Sequence, residues 1–190
     1  VTKKLKSDFE TSHITIILLT AHSSIEHQVE GIEAGADSYI MKPFSTKYLT
    51  TRIIKLIEQR EKLQHKFSQE IGTSQVTITT TDKDKEFLEK VHTILYQNLD
   101  NTEFSIEQFA QSVNLGRTMF YKKVKGITGY SPNEYIRIIR LKKAAELLRT
   151  TDLNISEVAY KVGFNDPFYF SRCFKDQFEI TPTQFRSGNE

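Results

Sequence analysis

Basic side chains cluster in one stretch of this 190-residue sequence. Between Arg117 and Lys143, eight Lys and Arg residues face a single acidic residue, Glu134. The eight are Arg117, Lys122, Lys123, Lys125, Arg137, Arg140, Lys142 and Lys143. Ammonium and guanidinium groups at this density bind phosphate oxygens, and an arginine can also read guanine with two hydrogen bonds. A charged run can equally be a solvated helix face, so the neighbouring elements must decide between the two interpretations.

Around the basic stretch, the sequence pattern predicts two copies of one arrangement: a short helix, a tight glycine-containing turn and a second helix. The first copy spans roughly 105–125 and the second roughly 156–178. Ser105 is predicted to cap the first short helix, and Asn154 or Ser156 to begin the second. Such a helix-turn-helix presents its second helix outward, shaped for a DNA major groove about 12 Å wide.

One long predicted helix joins the two copies. It begins after Ser131-Pro132, where proline suits the first helical position, and it runs to about Arg149. About 18 residues at the usual helical rise span roughly 27 Å. Because one turn of duplex measures about 34 Å, two recognition helices at this separation can enter major grooves on the same face of one DNA. With both copies present, phosphate binding becomes the favoured interpretation of the basic stretch.

The first recognition helix is predicted to turn Phe120 and Val124 inward. Its candidate DNA contacts are Arg117, Thr118, Met119, Tyr121, Lys122 and Lys125. Its lysines are expected to contact phosphate, which sets affinity and salt dependence but carries no sequence information. Arg117 suits phosphate or guanine, and Thr118 and Met119 suit hydroxyl or apolar contacts with bases.

The second recognition helix carries a predicted buried row formed by Phe170, Phe174 and Phe178. Its candidate DNA contacts, on the opposite side, are Phe168, Ser171, Arg172 and Lys175. Aromatic residues on a helix are commonly core residues, so Phe168 and Tyr169 also have a packing interpretation. Side-chain direction favours DNA contact for Arg172.

The segment from about Phe87 to Arg186 resembles an AraC/XylS-type DNA-binding domain. The matching motifs are Gly163-Phe164-Asn165-Asp166, Tyr169-Phe170-Ser171-Arg172, Phe174-Lys175, Thr181-Pro182, Phe185-Arg186, Phe120-Tyr121-Lys122-Lys123, Thr128-Gly129-Tyr130-Ser131-Pro132, Ile138-Ile139-Arg140-Leu141 and Ala144-Ala145. The resemblance implies seven helices in a pair of helix-turn-helix units that regulate transcription from promoter DNA. Two positions depart from the family pattern: Gly116 replaces a common capping serine, and Glu179 replaces a common helix-ending glycine.

The N-terminal part follows a β-α-β-α pattern, which implies parallel strands joined by a crossover helix. The strand-like runs are 14–19 and 38–41, and a helix is predicted over about 46–64. Leu18-Leu19-Thr20-Ala21, Gly35-Ala36-Asp37-Ser38-Tyr39-Ile40 and Lys42-Pro43-Phe44 resemble the end of a two-component receiver domain. The resemblance makes Thr20 the phosphoryl-bonding hydroxyl, Tyr39 the aromatic switch and Lys42 the partner of the phosphorylated aspartate. It also implies a cis peptide before Pro43.

No residue matches the receiver phosphoacceptor aspartate, since neither Asp8 nor Asp37 stands in the corresponding position. We therefore expect a receiver fragment whose switch residues do not function in phosphorylation. Two parallel strands alone expose an unpaired edge and apolar faces. We expect the remnant either to be poorly ordered or to pair with another chain, through strand exchange or a short coiled coil. That seam would use Leu49, Ile53, Leu56, Leu63 and Phe67, which equally suit packing on a larger sheet.

The expected fold class is mainly α: a seven-helix double helix-turn-helix domain at 82–190, preceded by an α/β remnant of a flavodoxin-like receiver at 1–65. A linker is predicted at 66–81. Promoter DNA is the expected partner, with RNA polymerase and a second copy of the chain as further candidates. The arrangement is similar both to stand-alone response regulators and to the tail of hybrid sensor kinases, whose whole protein is tethered at the inner membrane.

Enzyme chemistry finds little support in the sequence. The single cysteine, Cys173, excludes internal disulfides and a cysteine-rich zinc site, and the five histidines lack zinc-ligand spacing. No nucleophile elbow or phosphate-binding glycine loop is present. We expect no catalytic residue, metal or cofactor, and a cytoplasmic chain without membrane contact, since its longest nearly apolar run, 14–21, is short. A helical protein-interaction adaptor without DNA binding is the alternative function.

Overall fold

The computed structural model describes residues 1–21, 25–70 and 81–188. Within those ranges the chain forms ten helices and two strands. In chain order these are α1 (Thr2–Ser7), β1 (Ile17–Thr20), α2 (Ile25–Glu33), β2 (Ser38–Met41), α3 (Thr46–Gln69), α4 (Asp82–Gln97), α5 (Ile106–Ser112), α6 (Arg117–Thr128), α7 (Pro132–Thr150), α8 (Ile155–Lys161), α9 (Pro167–Phe178) and α10 (Pro182–Ser187).

The two strands form the parallel pair that the β-α-β pattern predicts. Ile17 lies opposite Ser38 and Thr20 opposite Met41, with α2 crossing between the strands. Strand β1 begins three residues later than the apolar run suggests, because the Ile14 amide closes a turn onto the Thr11 carbonyl. Helix α1 stands at the start of the receiver-like part, although residues 1–7 carry no motif that predicts its bounds.

Helix α3 is longer than predicted and ends inside the C-terminal domain. Residues 66–69, predicted as the start of the linker, continue the helix, and 71–80 lie outside the described residues. Phe67 in the last turn is 1% exposed, and its ring stacks on Tyr135 with 5.9 Å between ring centroids. Phe67 therefore packs in the C-terminal core, so the predicted coiled-coil seam is wrong at this residue.

The C-terminal part contains the predicted seven helices, α4 to α10, around two separate apolar cores. The first core surrounds α4, α5 and α6 and takes in α7 as far as Ile139. The second begins at Leu141 of the same helix and surrounds α8 and α9. Helix α7 has 19 residues, about 29 Å of helix, and it is the rod that both units share.

Capping residues fix where the helices of both units begin. Ser105, Ser131, Asn154 and Thr181 each form a capping box, so Asn154 rather than Ser156 caps α8. No side chain caps α6, because its cap residue is Gly116, one of the two departures seen in the sequence. No helix among the described residues has the length and apolar content needed to cross a membrane.

Candidate nucleic-acid interface

Helix α6, the second helix of the first unit, separates an inner and an outer face as predicted. Phe120, Val124 and Ile127 are at most 2% exposed and pack in the first core. The outer face exposes five of the six candidates, and Met119 is half-buried. The exposed five are Arg117, Thr118, Tyr121, Lys122 and Lys125. This outer face therefore offers cations, a hydroxyl and an aromatic ring to a ligand.

Two of these side chains already have partners on the protein. The Arg117 guanidinium forms an ion pair with Glu107 of α5, in which both side chains are largely exposed. The Lys125 Nζ lies 5.9 Å from the Tyr121 ring centroid. Both interactions are solvent-exposed and therefore weak, so contact with phosphate can replace them at small cost.

Helix α9, the second helix of the second unit, exposes an unusual amount of aromatic surface. Phe168 is 88% exposed and Tyr169 is 42% exposed, whereas Phe170 and Phe174 are completely buried. The packing interpretation of Phe168 is therefore wrong. Phe178, predicted to be buried, is only half-buried, since it lies at the C-terminal end of the helix.

A cation accompanies the exposed aromatic residues of α9. The Arg172 guanidinium carbon lies 5.3 Å from the Tyr169 ring centroid, and both side chains are exposed. Lys175 is exposed one turn further along. The Ser171 hydroxyl donates a 2.8 Å hydrogen bond to the Pro167 carbonyl, so its proton is engaged in the helix, although its oxygen can still accept.

Three of the eight basic residues are buried or half-buried, so the basic stretch is less exposed than its sequence suggests. Lys123 is completely buried, Lys142 is 7% exposed and Arg140 is half-buried. The Lys142 Nζ lies 3.9 Å from the Phe67 ring centroid, and burial lowers its pKa to about 8. The exposed charge is consequently concentrated on α6 and on the outer side of α7.

Lys123 lies in a buried polar cluster that joins three parts of the chain. Its Nζ donates to the Asp84 carboxylate of α4 at 2.7 Å, to the Ser12 hydroxyl at 2.6 Å and to the Phe9 carbonyl. Ser12 also donates to Asp84 at 2.7 Å. Burial alone would raise the pKa of Asp84, but the hydrogen bonds from Lys123 and Ser12 outweigh it and the pKa falls below its usual value.

The C-terminal end of α6 has a second contact with the N-terminal part. Arg60 of α3 donates to the Gly126 and Ile127 carbonyls, the latter at 3.3 Å. A guanidinium at these carbonyls complements the negative end of the helix dipole. Together with the Lys123 cluster, this contact attaches the first recognition helix to residues 9–13 and to α3.

Sequence reasoning missed these two contacts, although one signal for the buried lysine was present. Lys123 shares its spacing with Phe120, Val124 and Ile127, positions i, i+3, i+4 and i+7 of the inner stripe. The second unit has Cys173, also buried, three residues after Phe170. The partners of Lys123 lie 39 and 111 residues away in the sequence, so no local pattern indicates them.

Of the three receiver-like residues, Thr20 and Lys42 lie at one end of the two-stranded sheet, whereas Tyr39 pairs with Leu18 within it. Thr20 ends β1, Tyr39 lies half-buried in β2, and Lys42 follows β2 with its amide donating to the Thr20 carbonyl at 2.7 Å. The Lys42-Pro43 peptide is cis, as the resemblance implies. Asp37 binds elsewhere, accepting from the Lys6 Nζ at 2.9 Å and from the Ile16 amide at 2.8 Å.

The histidines differ in burial. His27 and His65 are exposed, and His22 lies outside the described residues. His13 and His92 are half-buried, and burial lowers the pKa of each. Within 1–21, 25–70 and 81–188, no group of three His, Cys, Asp or Glu side chains is placed to hold a metal ion.

Two family models match the chain. Residues 109–188 match a helix-turn-helix domain, and residues 1–54 match the response regulator receiver domain. The first match covers most of both helix-turn-helix units, and the second covers β1, β2 and the first part of α3.

Similar proteins include a Formosa agariphila protein named as a histidine kinase, 43% identical over 97% of this chain and 13% of its own length. The transcriptional activator RhaS of Mannheimia succiniciproducens is 36% identical over 47% of this chain and 34% of its own length. The transcriptional regulator MtrA of Neisseria gonorrhoeae is 24% identical over 90% of this chain and 55% of its own length. The chain thus spans only about an eighth to a half of the length of these relatives.

Solved structures resemble the C-terminal part. An AraC-type transcriptional regulator from Chromobacterium violaceum aligns with a TM-score of 0.54 at 24% identity, over 57% of this chain and 96% of that one, a likeness of fold. The DNA-binding domain of AdpA, solved in complex with a target DNA, aligns with a TM-score of 0.50 at 27% identity, over 53% of this chain and 90% of that one.

Proposed function

Since the chain joins the C-terminal part of a receiver domain to an AraC-type DNA-binding domain, we propose that it is a sequence-specific transcriptional regulator of a two-component system. In this proposal each helix-turn-helix unit reads one major groove, and the two grooves are adjacent on one promoter. The regulator part itself performs no enzyme chemistry, and the kinase name of the Formosa relative refers to a far longer protein.

One observation carries the DNA-reading proposal: the exposed face of α9. Phe168 is 88% exposed next to Tyr169 and Arg172, while neighbouring phenylalanines of the same helix are fully buried. When a ligand covers a large exposed aromatic side chain, the apolar surface removed from water favours binding. In the major groove, this side chain suits a thymine methyl group and Arg172 suits guanine O6 and N7.

The remaining candidates divide by chemistry. We assign phosphate contacts to Lys122 and Lys125 of α6 and to Lys175 of α9, because an ammonium group binds phosphate as a point charge. Arg117 and Thr118 are assigned to bases, with Met119 beside them as an apolar contact and Tyr121 on the backbone side. Ser171 contributes only as an acceptor, since its proton is already engaged.

The decisive experiment is selection of bound duplexes from a random DNA library by the 190-residue chain. A selected motif with two segments one helical turn apart is the expected result. Affinity for the selected duplex should fall steeply with salt, as counterion release requires. A chain that retains no duplex above background, or that shows a flat salt dependence, would instead be the protein-interaction adaptor.

The setting of the full protein is a separate proposal. This part lies in the cytoplasm, where promoter DNA is, and RNA polymerase and a second copy of the chain are its further partners. Either a stand-alone response regulator or the tail of a membrane-tethered hybrid kinase fits this assignment. Size-exclusion chromatography with light scattering on the free and DNA-bound chain tests the second copy, since a monomer mass in both samples contradicts it.

A further inference from the structure

Besides the rod that they share, the two reading units meet at the turn of the second unit and the loop between α4 and α5 of the first. Helix α7 passes from the first apolar core to the second between Ile139 and Leu141, so Arg140 stands at the junction. A joint between two cores is where one packed body can tilt against another, because few side chains cross it. The interactions that hold the Arg140 side chain therefore affect the angle between the two units.

The Arg140 guanidinium holds one carbonyl from each unit. Its Nη1 donates to the Gly163 carbonyl in the turn of the second unit at 3.0 Å. Its Nη2 donates to the Asn101 carbonyl, in the loop between α4 and α5 of the first unit, also at 3.0 Å. The planar guanidinium fixes both directions at once, which a single ammonium group cannot do.

The backbones of the two units also approach closely at this place. A Cβ atom added to Gly163 would lie 2.2 Å from the Leu99 carbonyl oxygen and 2.7 Å from the Arg140 guanidinium carbon. Gly163 also has a φ of +82°, a conformation that favours glycine. The turn of the second unit is thus pressed onto the loop of the first, with Arg140 joining them.

We propose that Arg140 is a positioning residue that sets the spacing of the two recognition helices and hence the DNA spacing that the regulator accepts. This rests on the proposed function. Arg140 is half-buried and its two described hydrogen bonds go to carbonyls of the protein, so it acts on DNA through the geometry of the units. Without it, the units would still be connected by the α7 rod and by α3, whose Ser68 carbonyl accepts a 2.8 Å hydrogen bond from Gln177 of α9, but the two-carbonyl bridge at the junction would be lost.

The DNA test compares Arg140→Ala with the parent chain on three probes: a selected duplex, that duplex with one segment scrambled, and versions lengthened or shortened by one base pair. We expect about tenfold weaker binding to the intact duplex, the size of losing one or two hydrogen bonds. Binding to the one-segment probe should stay within about twofold. Discrimination against the altered spacings should shrink.

The two hydrogen bonds from Arg140 to the Gly163 and Asn101 carbonyls form what we call the brace. Two further variants separate the effect of the brace from simple loss of charge. Arg137→Ala removes the same charge from an exposed position one turn earlier in α7, and it should weaken binding to all probes by the same factor. Arg140→Lys keeps the charge but not the two-carbonyl geometry, so it should behave like Arg140→Ala. Equal loss on intact and one-segment probes for Arg140→Ala, or restored spacing selectivity in Arg140→Lys, would overturn the proposal.

A distance measurement needs no DNA and distinguishes failure of the brace from failure of the proposed function. Spin labels are placed at Gln111→Cys and Tyr160→Cys, exposed positions on the first helix of each unit, with buried Cys173 changed to Ala. The double-resonance distance distribution should be narrow in the parent and broader in Arg140→Ala. An unchanged distribution contradicts the brace, whether or not the chain selects a DNA sequence.

Discussion

At the scale of single residues, the exposed cations of α9 have different predicted roles. We expect Arg172→Ala to weaken binding to the selected duplex by about 1–3 kcal/mol and to relax the preference at one base position. The reason is that arginine pairs with guanine through two hydrogen bonds, which alanine cannot replace. Titrations against the selected duplex and its single-base variants measure both effects.

Lys175→Ala is the matched control for that prediction, since Lys175 is exposed on the same helix. This variant should weaken binding to all duplexes about equally, and it should lower the slope of log affinity against log salt concentration by about 1. If Arg172→Ala shows this uniform pattern instead, Arg172 contacts phosphate and not a base.

A second residue-scale prediction concerns the buried cation Lys142. Its pKa is lowered to about 8, below the 10.5 of an ordinary lysine, so the folded chain binds its proton less readily than the unfolded chain. The resulting penalty is fully present below pH 8 and is relieved as the pH rises towards 10.5. In that interval this residue should raise the free energy of unfolding by up to about 1.4 kcal/mol per pH unit.

Lys142→Met tests this prediction. At pH 7 the variant should be more stable by about 1–3 kcal/mol in urea denaturation, because methionine carries no charge into the core. The difference from the parent should vanish as the pH approaches 10. Lys143→Met is the control: its Nζ pairs with Glu146 at a more exposed site, and its change should stay within about 0.5 kcal/mol. A Lys142→Met variant less stable than the parent at pH 7 contradicts the argument.

At the scale of helices, the same cap position is occupied differently in the two units. Helix α6 ends on Gly129 with φ +81°, whereas α9 ends on Glu179 with φ +65°. A side chain in this left-handed conformation costs on the order of 1 kcal/mol. We therefore expect Glu179→Gly to stabilise the chain by about 0.5–1 kcal/mol in urea denaturation.

The reciprocal change provides the control. Gly129→Ala should destabilise by more than about 1 kcal/mol, since a Cβ there meets the strained φ and would lie 2.3 Å from the Gln64 side chain. A neutral Glu179→Gly together with a neutral Gly129→Ala would show that these two helix ends fray in solution.

The helical period of the sequence accounts for most of the C-terminal domain. Seven helices, the inner faces of α6 and α9 and the cap Ser105 all follow from spacing within one element. The sequence also carries a signal for the burial of Lys123 and Lys142, since both share the helical spacing of core residues. Their charge obscured that signal, because lysine is rarely buried without a partner.

Contacts between elements could not be predicted in the same way. The carbonyls held by Arg140 belong to loops 39 and 23 residues away, and Ser12 lies 111 residues from Lys123. Such pairs depend on how complete helices pack, and no local pattern fixes that packing. The exposure of Phe168 was undecided for the same reason: its periodicity suits either a core or a ligand face.

At the scale of the whole molecule, the Lys123–Asp84 pair joins α6 to α4 inside the C-terminal domain, and Ser12 of the N-terminal part is hydrogen-bonded to both side chains. Both side chains are completely buried. Removing one partner leaves an uncompensated charge, so Lys123→Met or Asp84→Leu should each cost about 3–5 kcal/mol. The double variant should be much less destabilised than the sum of the two, because neither charge then remains.

Urea denaturation of the parent, the two single variants and the double variant measures the coupling free energy between Lys123 and Asp84. Ser112→Ala on the surface of α5 serves as the neutral control, since its hydroxyl only bonds the Gln108 carbonyl of its own helix. Additive losses in the double variant would mean that Lys123 and Asp84 act independently, which would contradict a coupled buried pair.

Helix α3 runs without interruption from the two-stranded sheet to Phe67 in the C-terminal core. Its 24 residues make an arm about 36 Å long. With the pivot near Phe67, a swing of only about 5° at that end displaces Thr46 by about 3 Å, so the arm works as a lever. In the opposite direction, a displacement of a few ångströms beside the sheet becomes a displacement about threefold smaller at Arg60, which contacts the recognition helix and lies seven residues before Phe67.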